Sequence, residues 1–512
     1  MPRRFNLIVT ILLVAALAFS AYILVLGLDA PLFERHAFRQ SQTAISAYWI
    51  AQGGPVLAYE TPVLGWPWSV PFEFPTYQLM VAGLAQLGLG IAAAGRLVSY
   101  AFFIGTLGPL WLFFRAYRFD VSAFLLTAVL FILSPLYVFW GRSVMIESTA
   151  LFFSAAWVAC LAGAFQLDRK AWFFGAALLA GTLAALTKST TFLAFGLPAA
   201  AVFLHGGYAI LKQKQLGRLW PALLAGVAVG AIPLLVGAAW VVYSDAVKML
   251  NPIGASLTSS SLQGWNYGSL ERRLSSAFWN DVFMMRSLPD LFGYGFPLAL
   301  VLLGCALPNR RHMLIAAAAI AAFLAVPMVF TNLYFVHTYY WTAVGLFPMV
   351  AVGLGLHALA KAGRRDVAIG LLGLIAAAQL AYFVQTGLPD VGKAAATDRV
   401  FQVAQLTKAN TASNEAVIVF GLDWSSELLY YSERKGLAFP VWEPAALLAS
   451  VLASPAEFLG GHPLGAVVDC YPSAPDNSQQ ASQIKQALAS SRVVAEYEGC
   501  RIFNPASPTS IQ

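Results

Sequence analysis

The chain has 512 residues, 59% of them hydrophobic and 11% charged, with a mean hydropathy of +0.69 and a net charge of +7. Apolar runs of about 20 residues, apolar all round and separated by short charged loops, exclude a soluble globular domain and define a polytopic membrane protein. The basic excess does not point to nucleic acid, because it sits in short connections between the runs, where it sets topology.

The first span is expected at 7–27. It follows Met1-Pro-Arg-Arg-Phe5, and its apolar run of about 20 residues exceeds the 7–15 of a cleaved signal, so it reads as a retained helix starting in the cytoplasm. Further spans are expected at 95–114, 121–140, 149–167, 171–187, 190–210, 219–243, 291–307, 313–331, 337–360 and 367–387, about eleven in all. Basic residues fall in alternate connections: Arg115 and Arg118, Arg169 and Lys170, Lys212, Lys214 and Arg218, Arg310 and Arg311, then Lys361, Arg364 and Arg365. The intervening loops 28–94 and 244–290 and the tail after 388 are long and nearly neutral. By the positive-inside rule the N-terminus is cytoplasmic and the tail extracytoplasmic, with a bacterial inner membrane as the expected location. Residues 74–93 are apolar enough to span, but counting them would invert every later loop. They therefore read as a helix lying at the outer interface, like 39–52 with Tyr48 and Trp49 as anchors.

The tail changes character. Segments 416–420, 465–471 and 492–497 read as strands and 426–433 and 478–490 as helices, a small α/β domain. The expected division is a membrane core over 1–387, with the outer loop 28–94 carrying interfacial helices, and an extracytoplasmic domain over 388–512. Cys470 and Cys500 sit near predicted strand ends in an oxidising compartment, which makes them a disulfide candidate; Cys160 and Cys305 lie within spans. No internal repeat, phosphate-binding Gly-rich loop or zinc-type Cys/His spacing occurs, so the chain carries no motif for ATP-driven transport.

Polar residues converge on the loops assigned to the outer face. The first loop supplies Phe33-Glu-Arg-His-Ala-Phe-Arg-Gln-Ser-Gln-Thr-Ala44 and Gly65-Trp-Pro-Trp-Ser-Val-Pro-Phe-Glu-Phe-Pro75. Trp140-Gly-Arg-Ser-Val-Met-Ile-Glu-Ser148 adds Arg142 and Glu147, Thr187-Lys-Ser-Thr190 adds Lys188, and Val336-His-Thr-Tyr-Tyr-Trp341 adds His337 and two tyrosines. Ionisable groups at membrane depth are functional candidates by default. Cations to hold a phosphate, aromatics to stack on a sugar and a carboxylate to deprotonate a hydroxyl suit a lipid-phosphate-linked sugar. Each has a plainer role open to it: Lys188 as a snorkelling helix end, His337 as a packed histidine, Trp66 and Trp68 as belt residues.

The motifs His36-x-x-Arg39-Gln40-x-x-Thr43-Ala44, Glu73-Phe-Pro75, Ser134-Pro135 followed by Arg142 and Glu147, then Lys188 and His337 to Tyr340, resemble in order the GT-C membrane glycosyltransferases. That group holds protein O-mannosyltransferases and the lipid A aminoarabinose transferase. The resemblance covers most of residues 1–390 and implies a GT-C-like helical core. It also implies transfer of a hexose or pentose from a polyprenyl-phosphate donor to a lipid, glycan or protein acceptor at the extracytoplasmic face. Glu147 matches the second acid of the family. The first is open, since His36-Ala37 stands where many relatives have Asp-Glu, leaving Glu34, His36 and Glu73 as further candidates for the base. Arg39, Lys188, Arg142, His337 and Tyr340 are the candidates for holding the donor phosphate. No cofactor is required; a divalent metal remains open, although the loop lacks a paired Asp motif. The alternative functions are a transporter or flippase of lipid-linked saccharides and a non-catalytic assembly partner, against which stands the clustering of charge at one face instead of the midplane.

Overall fold

The computed structural model describes residues 3–167, 171–471 and 479–505; Arg169, Lys170 and the start of the predicted 478–490 helix lie outside them. The chain divides into two compact units: residues 1–28, 95–240 and 263–391, and residues 29–94, 241–262 and 392–512.

The first unit is helical. Among the described residues, eight helices of the chain are long and apolar enough to cross a membrane: Arg3–Leu26, Ile91–Ala116, Glu147–Gln166, Leu219–Lys248, Ala277–Gly304, Arg310–Val329, Thr338–Lys361 and Arg365–Asp390. The three other predicted spans are helical but short or interrupted. Val121–Leu133 stops at Ser134, whose successor Pro135 has no N–H to give and starts Pro135–Trp140. Ala171–Thr187 has 17 residues, and 190–210 is divided at Phe195 into Ser189–Ala194 and Gly196–Lys212.

The innermost helix, Thr338–Lys361, is buried along most of its length. Small residues let its neighbours approach: a Cβ on Gly353 would lie 2.1 Å from Thr127 Oγ1, and one on Gly355 2.1 Å from the Leu302 carbonyl. Without a hydrophobic drive between helices in lipid, such close backbone packing is what holds a bundle. Tyr137 adds a buried hydrogen bond to the Thr342 carbonyl at 2.8 Å. At the Lys361 end a polar chain links helices: His312 Nε2 to His357 Nδ1 at 2.7 Å, His357 Nε2 to Asp120 at 2.9 Å, and Lys361 Nζ to Asp120 at 2.7 Å.

The second unit holds a five-stranded sheet of β1 (Ala416–Phe420), β2 (Gly436–Ala438), β3 (Leu464–Asp469), β4 (Arg492–Tyr497) and β5 (Cys500–Asn504), in the order β2-β1-β3-β5-β4. β1 runs parallel to β2 and β3, pairing Ile418 with Leu437 and Val467; β5 is antiparallel to β3 and β4. Ala416-Val-Ile-Val-Phe420 is apolar throughout and wholly buried, as a central parallel strand covered on both faces must be. Cys470 and Cys500, at the adjoining ends of β3 and β5, form a disulfide.

The 29–94 segment is built into this unit. Its helices Ala37–Ala51 and Thr76–Gln86 are too short to span a membrane. Between them, Val63 and Leu64 run along the β2 edge: the Ala438 N–H donates to the Val63 carbonyl at 2.7 Å, the Gly436 N–H to that of Pro62 at 3.1 Å, and Leu64 bridges Leu437. The edge that would otherwise expose unpaired backbone groups is thereby covered. Ser41 Oγ meets Ser426 Oγ at 3.0 Å, and Phe38 packs edge-on against Trp424. Tyr48 and Trp49, expected as membrane anchors, are engaged by the tail domain, through Glu433 and through the Lys435 ammonium 4.7 Å from the Trp49 ring. Trp68 is buried whereas Trp66 is half exposed.

Candidate active site

In the first unit the candidate residues converge around one ion pair. The turn between Trp140 and Glu147 is fixed by Ser99, whose hydroxyl donates to the carbonyls of Ser143 at 2.6 Å and Met145 at 3.1 Å. Gly141 permits the turn, since a Cβ there would lie 2.4 Å from the Tyr137 carbonyl and 2.7 Å from the Phe103 ring. Glu147 then opens the helix Glu147–Gln166, where the N-terminal dipole favours a carboxylate. Lys188 has extended backbone between Ala171–Thr187 and Ser189–Ala194. That break turns its side chain to Glu147: Lys188 Nζ donates to Glu147 Oε1 at 2.6 Å, with 9% and 2% of the two side chains exposed. Glu147 Oε2 is buried and accepts no hydrogen bond from the described residues.

Aromatic rings form the bed of this pair. Lys188 Nζ lies 3.9 Å from the Tyr340 ring centre and 5.2 Å from that of Tyr339, within the range of cation–π attraction. His337 stacks on both tyrosines at 5.1 and 5.8 Å, and Trp140 meets Tyr339 edge-on at 5.8 Å. Arg286 holds the approach to His337, donating to the carbonyls of Phe335 at 2.7 Å and Tyr334 at 3.3 Å. Arg142 is fully buried with its guanidinium 5.3 Å from the Phe139 ring. Of these groups, Arg286 and Tyr339 were not among the chosen site residues; the double tyrosine was the available signal for the second, and Arg286 carried none.

The first-loop candidates lie in the second unit. Arg39 pairs with Glu73 at 3.2 Å and with Gln42, and Gln78 Nε2 donates to Glu73 Oε1 at 2.9 Å. Tyr59 fixes the Glu73 turn by donating to the Glu73 carbonyl at 3.0 Å and accepting from the Phe72 N–H at 2.9 Å. Burial, reinforced by the Glu73 charge, pushes the Tyr59 hydroxyl well above the usual phenol range, so it stays a donor. Glu34 is buried and accepts from the Gly392 N–H at 3.4 Å. His36 has left-handed backbone, φ 52°, at the start of Ala37–Ala51. Among the described residues no three His, Cys, Asp or Glu side chains gather closely enough to hold a metal ion.

The eight long apolar helices, the buried acid–cation pair at their loops and the small mixed sheet define a polytopic membrane protein with the GT-C fold. No family model and no curated protein matches the sequence. Among solved structures, the chain is similar to ArnT, an aminoarabinose transferase, from Cupriavidus metallidurans bound to undecaprenyl phosphate. That likeness has a TM-score of 0.66 at 14% identity, over 97% of this chain and 98% of that one. The same enzyme in its apo state gives 0.65 at 15% identity, over 96% and 97%.

Proposed function

We propose that the protein is a glycosyltransferase that moves a sugar from a polyprenyl-phosphate donor to an acceptor hydroxyl or amine on a lipid, glycan or protein at the extracytoplasmic face. The observation that carries this reading is the buried Glu147–Lys188 pair, with Lys188 Nζ seated on the Tyr340 ring and Glu147 Oε2 accepting no hydrogen bond from the described residues. An idle carboxylate at a membrane helix end costs on the order of a few kcal/mol, and a paired one with a free oxygen is equipped for proton transfer. The undecaprenyl phosphate bound to ArnT, which shares the fold, supplies the donor class.

In the proposed reaction the acceptor atom attacks the anomeric carbon as the bond from that carbon to the phosphate oxygen breaks, and polyprenyl phosphate leaves. Glu147 Oε2 takes the acceptor proton, a role worth about 10²–10⁴-fold in rate. Lys188 stabilises the charge gathering on the departing phosphate, which a fixed cation in a dry site does without reorganising. Tyr339, Tyr340 and His337 offer flat faces for a sugar ring. Glu73 is less open as a base, tied to Arg39 and Gln78. Arg39 is assigned to binding an anionic substrate group, with Glu73 and Gln42 fixing its guanidinium.

The test is a transfer assay with purified protein and a panel of polyprenyl-phosphate sugars, joined to mass spectrometry of envelope glycans from cells with and without the gene. A glycan that disappears with the gene, and a donor consumed only by protein with Glu147 intact, is the expected result. Unchanged glycans together with no turnover of any donor would refute it.

A further inference from the structure

A cavity of about 1200 Å³ lies wholly within the first unit, and neither Glu147 nor Lys188 lines it. Along the helix that Glu147 opens, the cavity's lining runs from Ala155 to Gln166, about 12 to 28 Å from Glu147 at 1.5 Å per residue. Its walls are apolar, with Ala155, Phe195 and Phe347 among the lining residues. From Gln166 to Ala155 the lining follows the helix for about 16 Å, roughly half the 30 Å hydrocarbon core of a bilayer. The cavity is thus about one leaflet deep.

Its chemistry is one-signed. Arg118, Lys212, Arg310 and Arg311 all line it, and among the described residues no Asp or Glu does. Arg311 lies 4.2 Å from the Phe119 ring, which steadies its guanidinium. Asp120, the acid next along the chain from Arg118 and Phe119, is already taken by Lys361 and His357. Burial works against the charge of Asp120, but Lys361, Ser122 and His357 outweigh it and hold the carboxyl below its usual range, so it is an anion already neutralised. Gln166, His205 and Tyr208 add polar groups. Four cations at the rim of a leaflet-deep apolar slot match a ligand with an anionic head and a hydrocarbon tail.

We propose that this cavity is a binding site for an acidic glycerophospholipid of the adjoining leaflet, with its phosphate among Arg118, Lys212, Arg310 and Arg311 and an acyl chain between the helices. Basic pockets between membrane helices on the side facing anionic lipid select such headgroups. The volume exceeds the about 300–1,000 Å³ of ordinary small-molecule pockets, and the one-sided charge disfavours a zwitterionic lipid. The site is independent of the transfer reaction and needs neither its donor nor its acceptor.

The experiment is native mass spectrometry of the intact protein after incubation with equimolar phosphatidylglycerol and phosphatidylcholine, and separately with undecaprenyl phosphate as competitor. Phosphatidylglycerol should be retained at least tenfold over phosphatidylcholine. The preference should vanish when Arg118, Lys212, Arg310 and Arg311 are all changed to Gln. Changing the three arginines to Lys should keep it, which separates lost charge from a damaged fold. Equal retention of the two phospholipids, or a preference that survives all four Gln changes, would overturn the proposal. So would displacement of phosphatidylglycerol by equimolar undecaprenyl phosphate in a manner that depends on these four residues, since the cavity would then belong to the donor.

Discussion

In Glu147 and Lys188, stability and the proposed proton transfer rest on one buried pair. The pair is nearly dry, so removing one partner strands the other as a buried charge, at a cost of about 3–5 kcal/mol. Lys188→Gln should therefore lower both stability and transfer, whereas Glu147→Gln/Lys188→Gln should recover much of the stability and none of the transfer. Thermal unfolding beside a donor-turnover assay reads this double-mutant cycle. Glu147→Gln alone should lose about 10²–10⁴-fold in turnover while donor lipid still binds; wild-type turnover in that variant would end its catalytic role. The spacing of Glu147 and Lys188 at loop positions made both legible in the sequence as candidates. Their contact was not legible, because it depends on the extended backbone at Lys188 turning a side chain across helices. The choice among Glu34, His36, Glu73 and Glu147 was also closed to sequence reading, since it depends on contacts made only in the fold, such as Glu147 with Lys188 and Glu73 with Arg39.

Glu427, in the tail domain, gives a pH-dependent case at the same scale. Burial, opposed by the Ser425 hydroxyl and helped by Asp398, pushes its carboxyl up to about 7. The folded state then holds a proton that the unfolded chain releases near its ordinary value of about 4.3. Stability from this group is present at low pH and declines as pH rises from about 4.3 to about 7, by up to roughly 3 kcal/mol. Glu427→Gln should remove that decline. Hydrogen exchange of the 416–438 region in the intact protein at pH 5 and pH 8 measures it: the wild type should lose protection at pH 8 and the variant should not.

At the level of elements, the helix interruptions position the chemistry. Ser134-Pro135, the turn after Gly141 and the break at Lys188 each stop a helix where a side chain must leave the bundle. Gly141→Ala would put a methyl within 2.4 Å of the Tyr137 carbonyl and against the rigid Phe103 ring. It should cost about 1–3 kcal/mol as overpacking does and lower transfer by shifting the turn that carries Glu147, as thermal unfolding and the turnover assay would both record. The break at Pro135 falls inside the expected 121–140 span, although proline does not continue a helix. The one at Phe195 was not readable, because apolar residues continue on both sides of it. In the sheet, Cys470→Ser/Cys500→Ser should cost about 2–5 kcal/mol. Hydrogen exchange should then show β3 and β5 loosening before the helices of the first unit do.

For the whole molecule, hydropathy was enough to read a helical membrane protein with a small α/β tail, since span length and strand alternation are local properties. The assignment of 29–94 and 241–262 to the same unit as the tail was hidden, because nothing local marks Val63 and Leu64 as partners of a strand edge more than 350 residues later. The orientation remains a prediction from the basic loops: a reporter fused after Gln512 should be active only outside the cytoplasm. Cytoplasmic activity there would reverse the proposed face of transfer.

The joining of the first loop to the tail also sets a timetable for biogenesis. Ser41 and its partner Ser426 are 385 residues apart, so at about 5–20 residues per second of synthesis the loop waits roughly 20–80 s for the surface it packs on. Through that interval Ile45, Val63, Leu64 and Trp68, all buried in the finished unit, have no tail to cover them. The loop therefore matures last although it is made almost first, and a ribosome stalled before β1 leaves an inserted membrane core with a sticky, unfinished segment. Such a chain is a natural substrate for chaperones and proteases.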